Sequence, residues 1–382
     1  NSSALRNVIS ANVDEGILIG SSSWLNPDFD ENEEESETNP EFIVSPASHN
    51  RVEANFIGTT RSGDARVTAG EEQYDGVRIS DSNDNTIGST LPAAGNVISG
   101  HVRYGVYIEN GLSTKNRVIG NAIGTTSDRL NSLGNGFTGV FITAASENWI
   151  GGITPLDADG RPMTGTAPGN VISSNDGDGI YISGKDSTKN VVQGNVIGAD
   201  VTQTKDLGNT SDGIHLENAP ENTVGGPELG ARNVISGNEK NGIRIEGADA
   251  KNNEVQGNAI GTTGDLLGPL GNGENGVKIV AAIENRIGGI TPLDASGRPK
   301  TGAAPGNVIS SNGMNGIHIL GKDSTKNIIR GNVIGADITQ TEDLGNTSDG
   351  IHLESTPENT IGGSELGARN VISGNNKNGI RI

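Results

Sequence analysis

The sequence predicts an all-β fold, a right-handed parallel β-helix (β-solenoid) of about ten coils, each built from three short strands. Three observations predict it. Gly and Asn fill 102 of the 382 positions, 58 Gly and 44 Asn, which is more turn chemistry than an ordinary domain carries. A Gly-(Ile/Val)-x-(Ile/Leu) motif recurs eleven times, starting at Gly16, Gly76, Gly105, Gly139, Gly179, Gly213, Gly242, Gly276, Gly316, Gly350 and Gly379. Asn-Val-Ile-Ser recurs at Asn7, Asn96, Asn170, Asn233, Asn307 and Asn370 and exposes a larger repeat of 137 residues; 170–232 and 307–369 align without a gap and differ at 14 of 63 positions.

Each Gly motif is the first strand of a coil. A polar turn follows, then a second short apolar stretch headed by Asn, then a Gly-Asn corner and a third, as in Ile243–Ile245, Glu254–Gln256 and Ala259–Ile260. Apolar residues alternate at period two over three to five residues, and no stretch keeps a helical period. Strands this short bury their apolar faces only by stacking on the next coil, parallel and in register at about 4.8 Å, so that eleven first strands span roughly 48 Å. Parallel crossovers are right-handed. The inward column of the first strand is Ile17, Val77, Val106, Val140, Ile180, Ile214, Ile243, Val277, Ile317, Ile351 and Ile380, nearly all β-branched and suited to the pleat. Asn121, Asn195, Asn258 and Asn332 are expected at the second corner because Asn tolerates left-handed φ, with their amides bonding from coil to coil as a ladder.

Unequal coil lengths place the loops. In 34-residue coils the excess lies between the third strand and the next Gly, as in 126–134; in 40-residue coils it lies at the second corner, in the near-identical loops 153–169 and 290–306. The whole chain, 1–382, reads as one solenoid, with 20–49 as an acidic, solvated insertion in the first coil and 96–232 and 233–369 as duplicated four-coil units.

Composition excludes several functions. A net charge of −20 opposes nucleic acid and anionic membrane surfaces, so no nucleic-acid partner is expected. No apolar run reaches the roughly 18–20 residues that would span a bilayer, so no membrane insertion is expected. With no Cys, the redox compartment is left open. A chain that opens on Asn1 reads as a processed or excerpted piece.

With its Asn-Val-Ile-Ser-Gly-Asn, Gly-Ile-x-Ile and Asn-x-Val-x-Gly-Asn-x-Ile-Gly elements, the sequence from Asn7 to Ile382 resembles the right-handed parallel β-helix repeat family of the pectate-lyase-like superfamily, of the kind found in large secreted or surface proteins of bacteria. The resemblance implies the fold and an extracellular or cell-surface location. It does not fix an activity, since such folds include lyases, hydrolases, epimerases, adhesins and inert stalks.

Candidate sites lie on the outward column of the first strand: Leu18, Arg78, Tyr107, Phe141, Tyr181, His215, Arg244, Lys278, His318, His352 and Arg381. Tyr107, Phe141 and Tyr181 fall on successive coils, an aromatic ridge that could contact sugar; the competing reading is cross-strand stacking on an exposed face. Proton abstraction next to a uronate carboxylate needs a base and a cation, and Asp212, His215, Glu217, Arg244 and Lys278 are the group that could supply them. Against catalysis, Ser211–Glu217 recurs letter for letter at Ser348–Glu354, as a structural duplication would, and Asp75, Asp178, Asp212 and Asp349 share a turn position before the Gly. No catalytic residue is therefore assigned. No cofactor is expected; Ca²⁺ is the candidate ion, at Asp157, Asp159, Asp200, Asp294 and Asp337, each of which also fits a plain Asx turn. His318 and His352, one coil apart, do not make a metal site by themselves.

The reading that follows is a non-enzymatic extracellular rod, adhesive or structural. It would self-associate head to tail into a filament or continue as a longer surface protein, and its aromatic ridge would be open to glycan. The alternative is a polysaccharide lyase, epimerase or hydrolase that works through the first-strand face on a uronate-type polymer.

Overall fold

A computed structural model describes residues 6–12, 14–20, 46–68, 73–153, 169–290 and 306–382. The chain winds as a right-handed parallel β-helix with three sheets, two of eleven strands and one of ten. First strands run from Ile17–Gly20 to Ile380–Arg381, second strands from Arg51–Val52 to Thr360–Ile361, and third strands from Asn7–Ile9 to Val371–Ile372. Each strand pairs in parallel with its counterpart one coil away, without slippage, as in Val140 with Ile180 and Ile142 with Ile182. Register is held because a slip of one residue would turn the apolar column outward.

Inward residues of all three sheets form one continuous core. From Val77 to Ile351 every member of the first-strand column is fully buried, while Ile380 at its end is 45 % exposed. The recurrent Gly before the first strand is a point of close approach. A Cβ on Gly139 would lie 2.5 Å from Ile172 Cγ2 and 2.7 Å from the Gly179 carbonyl oxygen, so no other residue fits without displacing the next coil.

Asn works differently from the sequence expectation at the second corner. The left-handed residue there is the preceding Gly: Gly120, Gly194 and Gly331 have φ of 68°, 70° and 69°, whereas Asn121, Asn195, Asn258 and Asn332 are not left-handed. Asn is present for its amide. Asn195 Nδ2 donates to Asn233 Oδ1 at 3.1 Å, and Asn233 Nδ2 donates to Asn258 Oδ1 at 2.9 Å, one coil after another. A second ladder runs through Asn116, Asn148 and Asn190 before the second strand, and a third through Asn135, Asn175 and Asn209 after the third strand. These buried amides pair with one another and with backbone carbonyls, which is how a core edge can hold so many polar groups.

The extra residues of the 34-residue coils close on themselves through isolated antiparallel bridges, Thr125 with Ser132 and Ala199 with Asp206. Most of the acidic insertion 20–49, and the loops that hold Asp157, Asp159 and Asp294, lie outside the described residues.

Candidate functional site

The outward column of the first strand forms one unbroken register from Leu18 to Arg381. Period-two alternation turns these side chains out because their neighbours on either side fill the core. Tyr107, Phe141 and Tyr181 are therefore adjacent, as the spacing predicts, and the stack extends to His215. Ring centroids are 5.2, 4.9 and 4.8 Å apart along the series, at interplanar angles of 8°, 20° and 17°. The ring faces are turned on one another. A ligand lying on this ridge would meet ring edges and tyrosine hydroxyls, while Tyr104 stands tilted beside Tyr107 and Phe141. Arg78 closes the stack at its other end, 5.5 Å from the Tyr107 centroid and donating to Glu109 and Glu15.

His215 is the hub of the polar part. Its Nδ1 lies 3.5 Å from Asp178 Oδ2 and its Nε2 3.1 Å from Glu246 Oε1. Arg244 Nε donates to Glu246 Oε2 at 2.8 Å, and the Arg244 guanidinium reaches to 4.0 Å from Asp212. Tyr181 donates its hydroxyl to Glu217. Lys278 is 3.9 Å from Glu274. Of the predicted group, Asp212, His215 and Arg244 thus come together, Glu217 joins through Tyr181, and Lys278 stands on the next coil after Arg244. Asp178, which the sequence suggested only as a turn residue, and Glu246 are the direct partners of His215.

The electrostatics follow from a ladder that precedes the first strand. Asn241 donates from both its backbone N and its Nδ2 to Asp212 Oδ1, each at 2.8 Å, and Asn275 does the same to Asn241 Oδ1 at 3.2 and 2.9 Å. Asn can both accept and donate, so the ladder closes on itself. Where Asp212 follows Asp178, the ladder loses a donor. The Asp212 backbone N–H still donates to Asp178 Oδ1 at 2.9 Å, but Asp212 Oδ2 is buried with no hydrogen-bond partner. Burial, reinforced by the Asp178 charge, pushes the Asp212 carboxyl above the usual range. Asp178 goes the other way: burial opposes its charge, but hydrogen bonding and attraction to His215 hold its pKa down. Burial also disfavours the His215 imidazolium, yet Asp178, Asp212 and Glu246 outweigh it and raise its pKa. Tyr181 is pushed up to about 12 by burial and by Glu217. The cluster pairs a carboxyl inclined to hold a proton with a neighbouring carboxylate inclined to lose one, beside a largely buried imidazole.

The identical heptapeptide Ser348–Glu354 sits in different company. The coil before it carries Asn315 and His318 in place of Asp178 and Tyr181. Asp349 donates its N–H to Asn315 Oδ1 at 3.1 Å, and despite burial its carboxyl is held low, with Asn378 donating to it. The two identical segments thus have different neighbours, Asp178 and Tyr181 against Asn315 and His318, so identical sequence does not make identical sites.

Among the described residues, two groups have the donor types of a metal site, Asp178 with Asp212 and His215, and His318 with His352 and Glu354; in each, one ligand atom per residue lies within 4.8 Å of the others. Asp200 and Asp337 are turn acceptors. Asp200 Oδ1 accepts from the N–H groups of Thr204 and Lys205 at 3.1 and 3.0 Å, and Asp337 from those of Thr341 and Glu342 at 2.9 and 3.0 Å. Burial opposes it, but these bonds and the Thr339 hydroxyl hold Asp337 at a pKa of about 2.

Comparison with known proteins bears on the fold. Matching solved structures include the A-module of the mannuronan C-5 epimerase AlgE4 of Azotobacter vinelandii, at TM-score 0.52 and 14% identity over 88% of this chain and 73% of that one. DFA-IIIase of Arthrobacter chlorophenolicus A6 aligns at TM-score 0.36 and 15% identity over 97% and 74%, and the Dettilon tailspike protein at 0.35 and 14% over 79% and 62%. The likeness to the epimerase module shows a shared β-helix fold and no more. No family model matches it, and comparison with curated protein sequences finds no match. Among the described residues, no helix is long and apolar enough to cross a membrane.

Proposed function

We propose that the chain is an extracellular or surface-exposed β-helix protein that acts on a uronate-type polysaccharide by proton transfer at His215, as a lyase or epimerase. One observation carries this reading: His215 is held between Asp178 and Glu246 and stacked on Tyr181, on the outward face of the first-strand sheet. In this reading neutral His215 removes the proton α to the uronate carboxylate, the Tyr181 hydroxyl returns a proton, and Lys278 meets the carboxylate charge. The fold shared with an epimerase module agrees with it, and the residue roles are this chain's own.

The test is incubation with polymannuronate, polyguluronate and pectate in deuterated buffer. A lyase gives an unsaturated uronate, an epimerase incorporates deuterium at C5, and a hydrolase gives reducing ends with neither. Turnover that is lost in His215→Gln but kept in His352→Gln is the expected result. Absence of all three products on all three polymers would overturn it.

A second reading, a structural or adhesive rod, is favoured by one feature. Ring faces from Tyr107 to His215 are occupied by one another, and Arg78, Arg244 and His215 all have carboxylate partners, so the face is satisfied without a ligand. Head-to-tail assembly in light scattering, together with no turnover, would select it.

A further inference from the structure

We propose that His318, His352 and Glu354 form a surface site for a divalent transition ion of the zinc type. His318 and His352 are register partners on successive coils, and their rings are 4.8 Å apart and 7° from parallel, so both imidazoles project the same way. Glu354 lies two residues beyond His352 on the same strand and hence on the same face. Its Oε2 comes back to 3.2 Å from His318 Nε2. One ligand atom from each of the three falls within 4.8 Å of the others, and rotation of the exposed Glu354 side chain with a small adjustment of the half-buried imidazoles brings such atoms onto one ion.

The duplication shows how the site arises. The same three places in the preceding unit hold Tyr181, His215 and Glu217, where the Tyr181 hydroxyl donates to Glu217. Replacing that phenol by His318 exchanges a hydroxyl donor for an imidazole and leaves the carboxylate without its tyrosine partner. Two imidazoles and one carboxylate suit zinc, nickel, cobalt or copper rather than calcium or magnesium, which prefer all-oxygen sets. Lys278 and Arg381 stand one coil to either side in the same column and oppose the ion's charge, so the site is expected to be weaker than a closed structural one. Three protein ligands leave a position open to water or an external donor. The inference does not depend on activity at His215.

The test is calorimetric titration of the metal-stripped full chain with zinc chloride at neutral pH, with calcium chloride as the hard-ion control. One saturable equivalent is expected for zinc and none at this site for calcium. His352→Ala and Glu354→Gln should each weaken binding by more than about tenfold, and His215→Ala should leave it unchanged. Cobalt chloride gives a second readout, a visible absorption band that His352→Ala removes. Zinc binding unaffected by the His318→Ala/His352→Ala pair, zinc binding lost in His215→Ala, or no saturable zinc binding at all would each overturn the proposal. Circular dichroism of each variant confirms that the solenoid is intact.

Discussion

Asp212 donates its backbone N–H to Asp178 Oδ1 at 2.9 Å, and its own Oδ2, buried beside that carboxylate, has no hydrogen-bond partner. Asp178→Asn restores the amide that Asn315 provides in the second unit. The His215 pKa should then fall, because Asp178 is the largest of the carboxylate contributions that raise it, and the Asp212 pKa should fall with it. The signs are definite. Raised groups such as His215 and Asp212 contribute stability that is complete below their unfolded values and lost as pH climbs through their folded values, while lowered Asp178 contributes stability lost as pH falls. At alkaline pH, where His215 is neutral, Asp178→Asn should stabilise by removing the carboxylate charge that repels buried Asp212. Titration of the His215 ring by NMR and urea unfolding at several pH values check this; an unmoved His215 midpoint would contradict it.

Phe141 is stacked on both sides, by Tyr107 at 5.2 Å and Tyr181 at 4.9 Å. Stacked aromatic pairs contribute about 0.5–1.5 kcal/mol each beyond area burial. Phe141→Leu, which keeps an apolar side chain but removes both stacks, should cost roughly 1–3 kcal/mol in urea unfolding and reduce the near-ultraviolet circular dichroism of the flanking tyrosines. A leucine variant as stable as the parent would show that the rings stand side by side without contributing.

How far the molecule could be read from its sequence depended on what each residue answers to. Ile180 and Ile182 announce the core because alternation is a local pattern, and the Gly-Ile-x-Ile spacing gives coil, register and outward column together. Tyr107, Phe141 and Tyr181 were legible as neighbours for the same reason. Asn195 was read as a corner residue with an amide ladder; the ladder is present, but the left-handed turn belongs to Gly194, because two adjacent turn formers cannot be told apart by composition. Asp178 as the partner of His215 was hidden by distance: it lies 37 residues earlier in the chain, and only the coil register brings it to 3.5 Å. The available signal was its replacement by Asn315, one of the 14 differences between two otherwise similar segments.

The Asn233 side chain makes four hydrogen bonds in the second-corner ladder. Its Nδ2 donates to Asn258 Oδ1 and to the Val192 carbonyl, both at 2.9 Å, and its Oδ1 accepts from Asn195 N and Nδ2 at 3.0 and 3.1 Å. Asn233→Ala leaves buried donors on Asn195 without an acceptor, at about 1–3 kcal/mol for each unsatisfied group. A loss of at least about 3 kcal/mol is expected in urea unfolding. Asn233→Asp keeps the acceptor for Asn195 but turns a carboxylate oxygen on Asn258 Oδ1, so its penalty should shrink on acidification, which distinguishes a lost donor from a lost shape.

His101 ends the third ladder where the other coils have Asn. Its backbone N–H donates to Asn135 Oδ1 at 3.2 Å and its Nδ1 lies 2.7 Å from the same oxygen, while Nε2 is buried with no partner. Burial drives the imidazole pKa from 6.5 to about 4, more than the Asn135 bond restores. A depressed folded value means that stability is complete above about pH 6.5 and is lost as pH falls toward 4. For a shift of that size, lowering the pH from 7 to 5 removes about 2 kcal/mol. His101→Asn substitutes the ladder's own residue and should abolish that part of the acid sensitivity while changing stability little at pH 7. Urea unfolding of both proteins at the two pH values decides it: parallel losses in parent and variant would mean that His101 is not the group that takes up the proton.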